Sequence, residues 1–134
     1  TTLASLPRPH LAAGMAEAMK HGAIADAGYF AKLTQAAPGV FAHDLVTLFD
    51  AVRRSIEIKV EVVAADEREH GRRATLNFGH TVAHALESVS GYEMLHGEAV
   101  AIGMASEAEL GERLGVAVVG YMIGDLMNRF WLGG

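Results

Sequence analysis

At 134 residues the chain has the length of one ordinary domain or of part of a larger one. Its apolar fraction of 51% supports a real core, no apolar run approaches the roughly 18 residues of a membrane span, and a net charge of -5 argues against nucleic acid as a partner. Disulfides and thiolate metal ligands are excluded because there is no cysteine, so any metal must be held by His, Asp or Glu, and a reducing, cytoplasmic compartment fits.

The chain reads as all-α, a helical bundle-like domain. The start, Thr1 to Ser5, has neither the basic nor the apolar stretch of a signal peptide. Leu3 to Pro9 is a Pro-punctuated lead-in, and from His10 to Ile24 small and apolar residues recur at helical spacing, with Gly14 the weak point. Asp26 is placed to cap a short helix through Ala36, and Pro38-Gly39 reads as a turn. A long helix follows from Asp44. Leu45, Leu48, Phe49, Val52, Ile56, Val60 and Val63 form its continuous apolar stripe, with Lys59 at the edge. Asp66 to Gly71 is a polar loop, a helix is expected from near Asn77 to about Val89, and Ser90 to Glu93 is a connection. The last strong helix runs from around His96 to Leu114 and stops at Gly115. Val116 to Val119 is long enough only for a short strand, and Tyr121 to Gly134 is an apolar, Met-rich end with either helix or irregular tail in prospect.

Three segments carry chemistry. Asn77-Phe78-Gly79-His80-Thr81-Val82-Ala83-His84 sets two imidazoles one helical turn apart, and Leu95-His96-Gly97-Glu98 adds a third at a helix start. Glu17 and Lys20 lie on one face of the first helix. Two histidines and a carboxylate are the usual donor set of a catalytic zinc site with one position left open. Each residue also has a plainer reading. A lone His on an apolar face is more often a hydrogen-bonded core residue, His96 can be a simple cap, Glu17 can pair with Lys20, and His21 competes with the others as a ligand. The spacing His80–His84 lacks the Glu of HExxH, which argues against a metalloprotease. Asn77 either caps a helix or orients a substrate oxygen, Arg73 can grip a carboxylate or phosphate with its planar fork, and Lys59 either snorkels or meets an anion. No GxGxxG loop is present.

Four ordered blocks resemble 3-dehydroquinate synthase: Ala13 to Lys20, Ile58 to Glu69, Arg73 to Glu87 and Leu95 to Met104. The resemblance covers roughly Leu3 to Val116 and fades beyond. It implies a two-domain enzyme with an N-terminal NAD-binding domain and a C-terminal helical domain that meet at the active site. Residues 1–116 then correspond to part of the helical domain, 117–134 to a divergent tail, and the NAD-binding domain lies outside this chain. By motif match, Glu17, His80 and His96 are implied as ligands of Zn2+ (with Co2+ as a possible substitute). Lys20, Lys59, Arg73, Asn77 and His84 are implied to contact the substrate. That substrate is 3-deoxy-D-arabino-heptulosonate 7-phosphate, a small sugar-acid phosphate turned into 3-dehydroquinate and phosphate in the shikimate pathway. NAD+ is bound mainly by the absent domain, the intact enzyme is expected to be a homodimer, and these 134 residues alone are not expected to turn over. Two positions depart from the family pattern: His21, where an aromatic residue is frequent, and the run Tyr92 to Leu95. The rival expectations are another sugar phosphate cyclase, such as 2-deoxy-scyllo-inosose synthase, a metal-dependent alcohol dehydrogenase, or a non-catalytic metal-binding fragment.

Overall fold

A computed structural model describes residues 2–66 and 71–115. Among them five α-helices form: α1 (Arg8–Ala25), α2 (Ala27–Phe41), α3 (Leu45–Ala65), α4 (His80–Val89) and α5 (His96–Arg113). Short 3-10 turns cover Thr2–Ser5 and Arg72–Asn77, and there is no strand among the described residues. The protein is all-α, as its periodicity predicts. The readings of Val116–Val119 and Tyr121–Gly134 lie outside the described residues. No helix described is long and apolar enough to cross a membrane.

Local chemistry sets the ends of the helices. Pro9 lies in the first turn of α1, where its missing N–H costs nothing, and this starts the helix two residues before His10. The Asp26 carboxylate accepts from Tyr29 N at 2.8 Å and so caps α2, as the sequence predicts. The same carboxylate receives Arg54 Nη2 of α3 at 2.9 Å, which ties the start of one helix to the middle of another. Asp44 caps α3 through the backbone N–H groups of Val46 and Thr47.

Helix α1 is the centre of the domain. It packs against α2, α3 and α5, while α4 lies on α5. Leu11, Met15 and Met19 of α1 meet Phe30, Leu33 and Val40 of α2, Ile58 and Val62 of α3, and Val100 and Met104 of α5 in one core. Buried Ala12, Ala16 and Ala18 let several helices approach α1 at once.

Three expectations are corrected. Pro38-Gly39 is not a turn: α2 continues to Phe41, because Val40 is fully buried and Phe41 packs its ring under the Arg8 guanidinium at 4.0 Å. Burial here outweighs the local turn preference, and the exposed Pro38 ring is kept outside the core. The stripe on α3 is mostly not its buried face either, since only Leu48 of it is buried. Leu45, Phe49, Val52, Ile56 and Val60 are exposed, whereas Leu48, Ala51, Ile58 and Val62 enter the core. Finally, α4 begins at His80 rather than near Asn77, which ends the preceding 3-10 turn.

Candidate functional site

Four separate pieces of chain meet at one cleft of about 430 Å3, lined by Glu17, Lys20, His21, Lys59, Arg73, Ala74, Leu76, Asn77, His80 and His96. A hollow of about 480 Å3 between α2 and α3 is also charged, but its Arg54 is already paired with Asp26, Glu57 and Glu61. The cleft beside α1 is the one that gathers donors for chemistry.

Helix α1 supplies Glu17, Lys20 and His21 from consecutive turns. Lys20 is only 3% exposed, and its Nζ donates to Glu17 Oε2 at 2.8 Å. The other carboxylate oxygen, Oε1, is buried with no hydrogen-bond partner. Burial pushes the Glu17 carboxyl up, but the hydrogen bond and charge of Lys20, helped by His80 and His21, outweigh it and leave the pKa below the ordinary 4.5. Glu17 is therefore an anion with one oxygen to offer.

The 3-10 turn brings Arg73 and Asn77 to the rim. Asp66 anchors it by accepting from Gly71 N at 2.9 Å and Arg73 N at 3.0 Å. Next comes Gly79, in the left-handed region at φ 82, where a Cβ would lie 2.8 Å from both Met104 N and Val100 O. Only glycine allows this backbone to rest on α5 and turn directly into α4 at His80. The Gly79 N–H donates to Glu107 Oε2 at 2.8 Å, fixing the approach further.

His80 presents Nδ1 to the Phe78 carbonyl oxygen at 3.3 Å. A carbonyl only accepts, so Nδ1 carries the proton and Nε2 keeps its lone pair. Burial and the Lys20 charge hold this imidazole below its ordinary pKa, against the Phe78 hydrogen bond and Glu17. His96, the first residue of α5, has its ring centroid 5.3 Å from that of His80 and its Nε2 3.7 Å from Glu17 Oε1, too long for a hydrogen bond. One ligand atom from each of Glu17, His80 and His96 lies within 4.8 Å of the others. An orphaned carboxylate oxygen facing two imidazoles suits a divalent cation of the zinc type.

The structure thus brings together Glu17, Lys20, Lys59, Arg73, Asn77, His80 and His96. His84 does not line the cleft. It is exposed, one turn beyond His80, with their ring centroids 5.5 Å apart. His21 does line it, but outside the donor cluster, because its Nδ1 pairs with Ser55 Oγ of α3 at 2.7 Å. Spacing alone missed three carboxylates, Asp66, Glu87 and Glu107. Asp66 acts on the adjoining turn, whereas Glu87 and Glu107 act between elements. Asp66 and Glu87 lie inside the family-like blocks, but their spacing alone gives them no supporting role.

His21 has a measurable consequence. Burial and Lys20 push its pKa below the ordinary 6.5, with Glu17 opposing and Lys59 assisting. As pH falls from 6.5 toward that lowered value, the unfolded chain takes up a proton that the folded chain refuses, so stability drops. Between about pH 7.5 and about pH 5.5, the urea midpoint of the wild type should fall further than that of His21→Gln. Equal losses would refute the assignment.

Fold and cleft together define an all-helical domain with a cation-rimmed site for two imidazoles and a carboxylate. Residues 14–124 match the 3-dehydroquinate synthase C-terminal family, and the chain belongs to that family. The match runs past Val116, where the motif likeness fades. The 3-dehydroquinate synthase of Symbiobacterium thermophilum is 50% identical over 119 residues, covering 89% of this chain and 33% of the relative. That of Geobacter sp. strain M21 is 50% identical over 115 residues, 85% of this chain and 32% of the relative. The chain therefore spans about a third of the length of these curated relatives. Among solved structures, a 2-epi-5-epi-valiolone synthase from Streptomyces hygroscopicus subsp. jinggangensis 5008, with NAD+ and Zn2+ bound, superposes with a TM-score of 0.84. Its identity is 30%, over 96% of this chain and 37% of that one.

Proposed function

We propose that this chain is the metal- and substrate-binding part of a 3-dehydroquinate synthase, converting 3-deoxy-D-arabino-heptulosonate 7-phosphate to 3-dehydroquinate and phosphate. The observation that carries the reading is the Glu17, His80 and His96 cluster on the same cleft as Lys20, Lys59, Arg73 and Asn77. The 50% identity to two synthases supports the choice of reaction.

Glu17, His80 and His96 would hold Zn2+, or Co2+ in its place. The zinc, when bound, supplies Lewis-acid polarisation of substrate hydroxyls, and NAD+, held mainly by residues outside this chain, supplies a transient hydride acceptor. The chain's own side chains do the rest. Lys59 and Arg73 neutralise the anionic groups of the substrate, and Arg73 matches a planar carboxylate or phosphate edge. Lys20 keeps a positive potential beside Glu17. Asn77 hydrogen-bonds substrate oxygens, and His84, exposed one turn beyond His80, would meet the substrate only from outside the cleft. Catalysis then rests largely on positioning and on charge arranged in advance.

The test uses the intact protein, NAD+ and the heptulosonate phosphate. Phosphate and 3-dehydroquinate should appear in equal amounts without net NADH, and net NADH or a different carbocycle would overturn the reading. In the same assay Arg73→Ala should retain its metal but lose on the order of 10²-fold in kcat/KM. The second reading, a cyclase of another sugar phosphate, draws on the valiolone synthase likeness. If the true substrate lacks a carboxylate, Arg73→Ala should cost less with that substrate than with the heptulosonate phosphate, because only the phosphate remains for its fork.

A further inference from the structure

We propose that Glu87 is a positioning residue for the metal site. Its carboxylate fixes the ring and tautomer of His96 so that Nε2 is the ligating nitrogen. This rests on the reading of Glu17, His80 and His96 as metal ligands.

Glu87 is on α4, two turns beyond His80, so one helix face carries both a ligand and the group that orients another ligand. Its Oε1 lies 3.0 Å from His96 Nδ1. An ionised carboxylate only accepts, so the proton is on Nδ1 and the lone pair is on Nε2, the nitrogen that faces Glu17 Oε1. The His96 side chain is 48% exposed and meets the His80 ring edge-on on one side only, whereas the Glu87 side chain is only 16% exposed. Beside that ring contact, the hydrogen bond restrains the imidazole and sets its tautomer.

Glu87 is itself pinned. Its backbone carbonyl accepts from Tyr92 N at 2.8 Å and from Ser90 Oγ at 3.0 Å, which shapes the turn leading from α4 to His96. His80 reaches the same tautomer by a different route, through the Phe78 carbonyl. Both histidines thus keep the Nε2 lone pair available for a metal, one oriented by backbone and the other by a charged side chain. A carboxylate on the far nitrogen also raises the basicity of the ligating one and strengthens its bond to a metal.

The experiment titrates the metal-free full chain with Zn2+ against a competing chromophoric chelator, for the wild type, Glu87→Ala, Glu87→Gln and His80→Ala. Glu87→Ala should raise the zinc Kd roughly 10- to 100-fold with stoichiometry kept, and Glu87→Gln should raise it less, because the amide oxygen still accepts from Nδ1. A Kd for Glu87→Ala within about twofold of the wild type, far below that 10-fold floor, while His80→Ala loses zinc, overturns the role of Glu87 alone. Unchanged zinc binding by His80→Ala overturns the metal reading and this proposal with it. Should Glu87→Ala fail to fold, imidazole nitrogen NMR of the zinc-loaded wild type decides. A protonated Nδ1 and metallated Nε2 on His96 are expected, and ligation through Nδ1 overturns the proposal.

Discussion

Gly97→Ala should unfold the domain or leave it with a far lower urea midpoint. A Cβ at this position would lie 2.0 Å from the carbonyl oxygen of Ala13, 2.5 Å from its carbonyl carbon and 2.6 Å from its Cα. These are backbone atoms of α1, so no rotamer change relieves the overlap. The first turn of α5 would have to move off α1, taking Val100 and Met104 away from Met15 and the rest of the core. Overpacking usually costs about 1–3 kcal/mol, and a backbone clash belongs at or beyond the top of that range. Against a total stability of about 5–15 kcal/mol, that is enough to dominate the behaviour of the protein. Gly14→Ala is the natural control. It lies in α1 with nothing within 4 Å of its Cβ position, so helix propensity alone should stabilise the chain by about 0.5–1 kcal/mol. A Gly97→Ala midpoint equal to that of the wild type would show that the α1–α5 crossing is not as close as described.

The same crossing shows what a sequence makes legible. The His96-Gly97 pair reads as a helix start, and the structure sets the backbone of Ala13 against Gly97. The helical elements are also legible, because caps such as Asp26 and Asp44 act within three residues of themselves. The buried face of α3 is not legible. Its apolar residues occupy two flanks, and periodicity cannot say whether Leu48 and Ile58 or Phe49 and Ile56 face α1. Only the packing of α1 and α2 decides, leaving Phe49 63% and Ile56 57% exposed. Pro38 fails for the same reason: a local turn signal is overridden by the burial of Val40 two residues later. At the cleft, the motif-matched residues are legible because the spacing of the blocks carries them. The supports are not, because Glu87 and His96 are nine residues apart and Glu107 and Gly79 are 28 apart, on different elements. Such pairs exist only once the helices are assembled.

Glu17→Gln should abolish stoichiometric zinc binding and leave the fold intact, whereas Glu17→Ala should lose both zinc and stability. The two variants differ in what they do to Lys20. The Lys20 ammonium is 3% exposed and bonded at 2.8 Å to Glu17 Oε2, and a glutamine carbonyl can still accept that bond. Alanine leaves the ammonium buried and unpaired. Removing one partner of a fully buried pair costs about 3–5 kcal/mol, and the cost here is smaller because the Glu17 side chain is 33% exposed to water. Neither variant keeps the anionic Oε1, so in both the zinc Kd should rise by more than the roughly 10- to 100-fold that follows loss of an outer hydrogen bond to a ligand. The titration belongs near neutral pH. Glu17 has a folded-state pKa below the ordinary 4.5, so its stabilising contribution is fully present above 4.5 and is lost as pH falls through the lowered value. Circular dichroism separates the two losses. A folded Glu17→Gln without zinc places the carboxylate in the metal shell. A folded Glu17→Gln with wild-type zinc affinity would mean that Glu17 serves only as the counter-ion of Lys20.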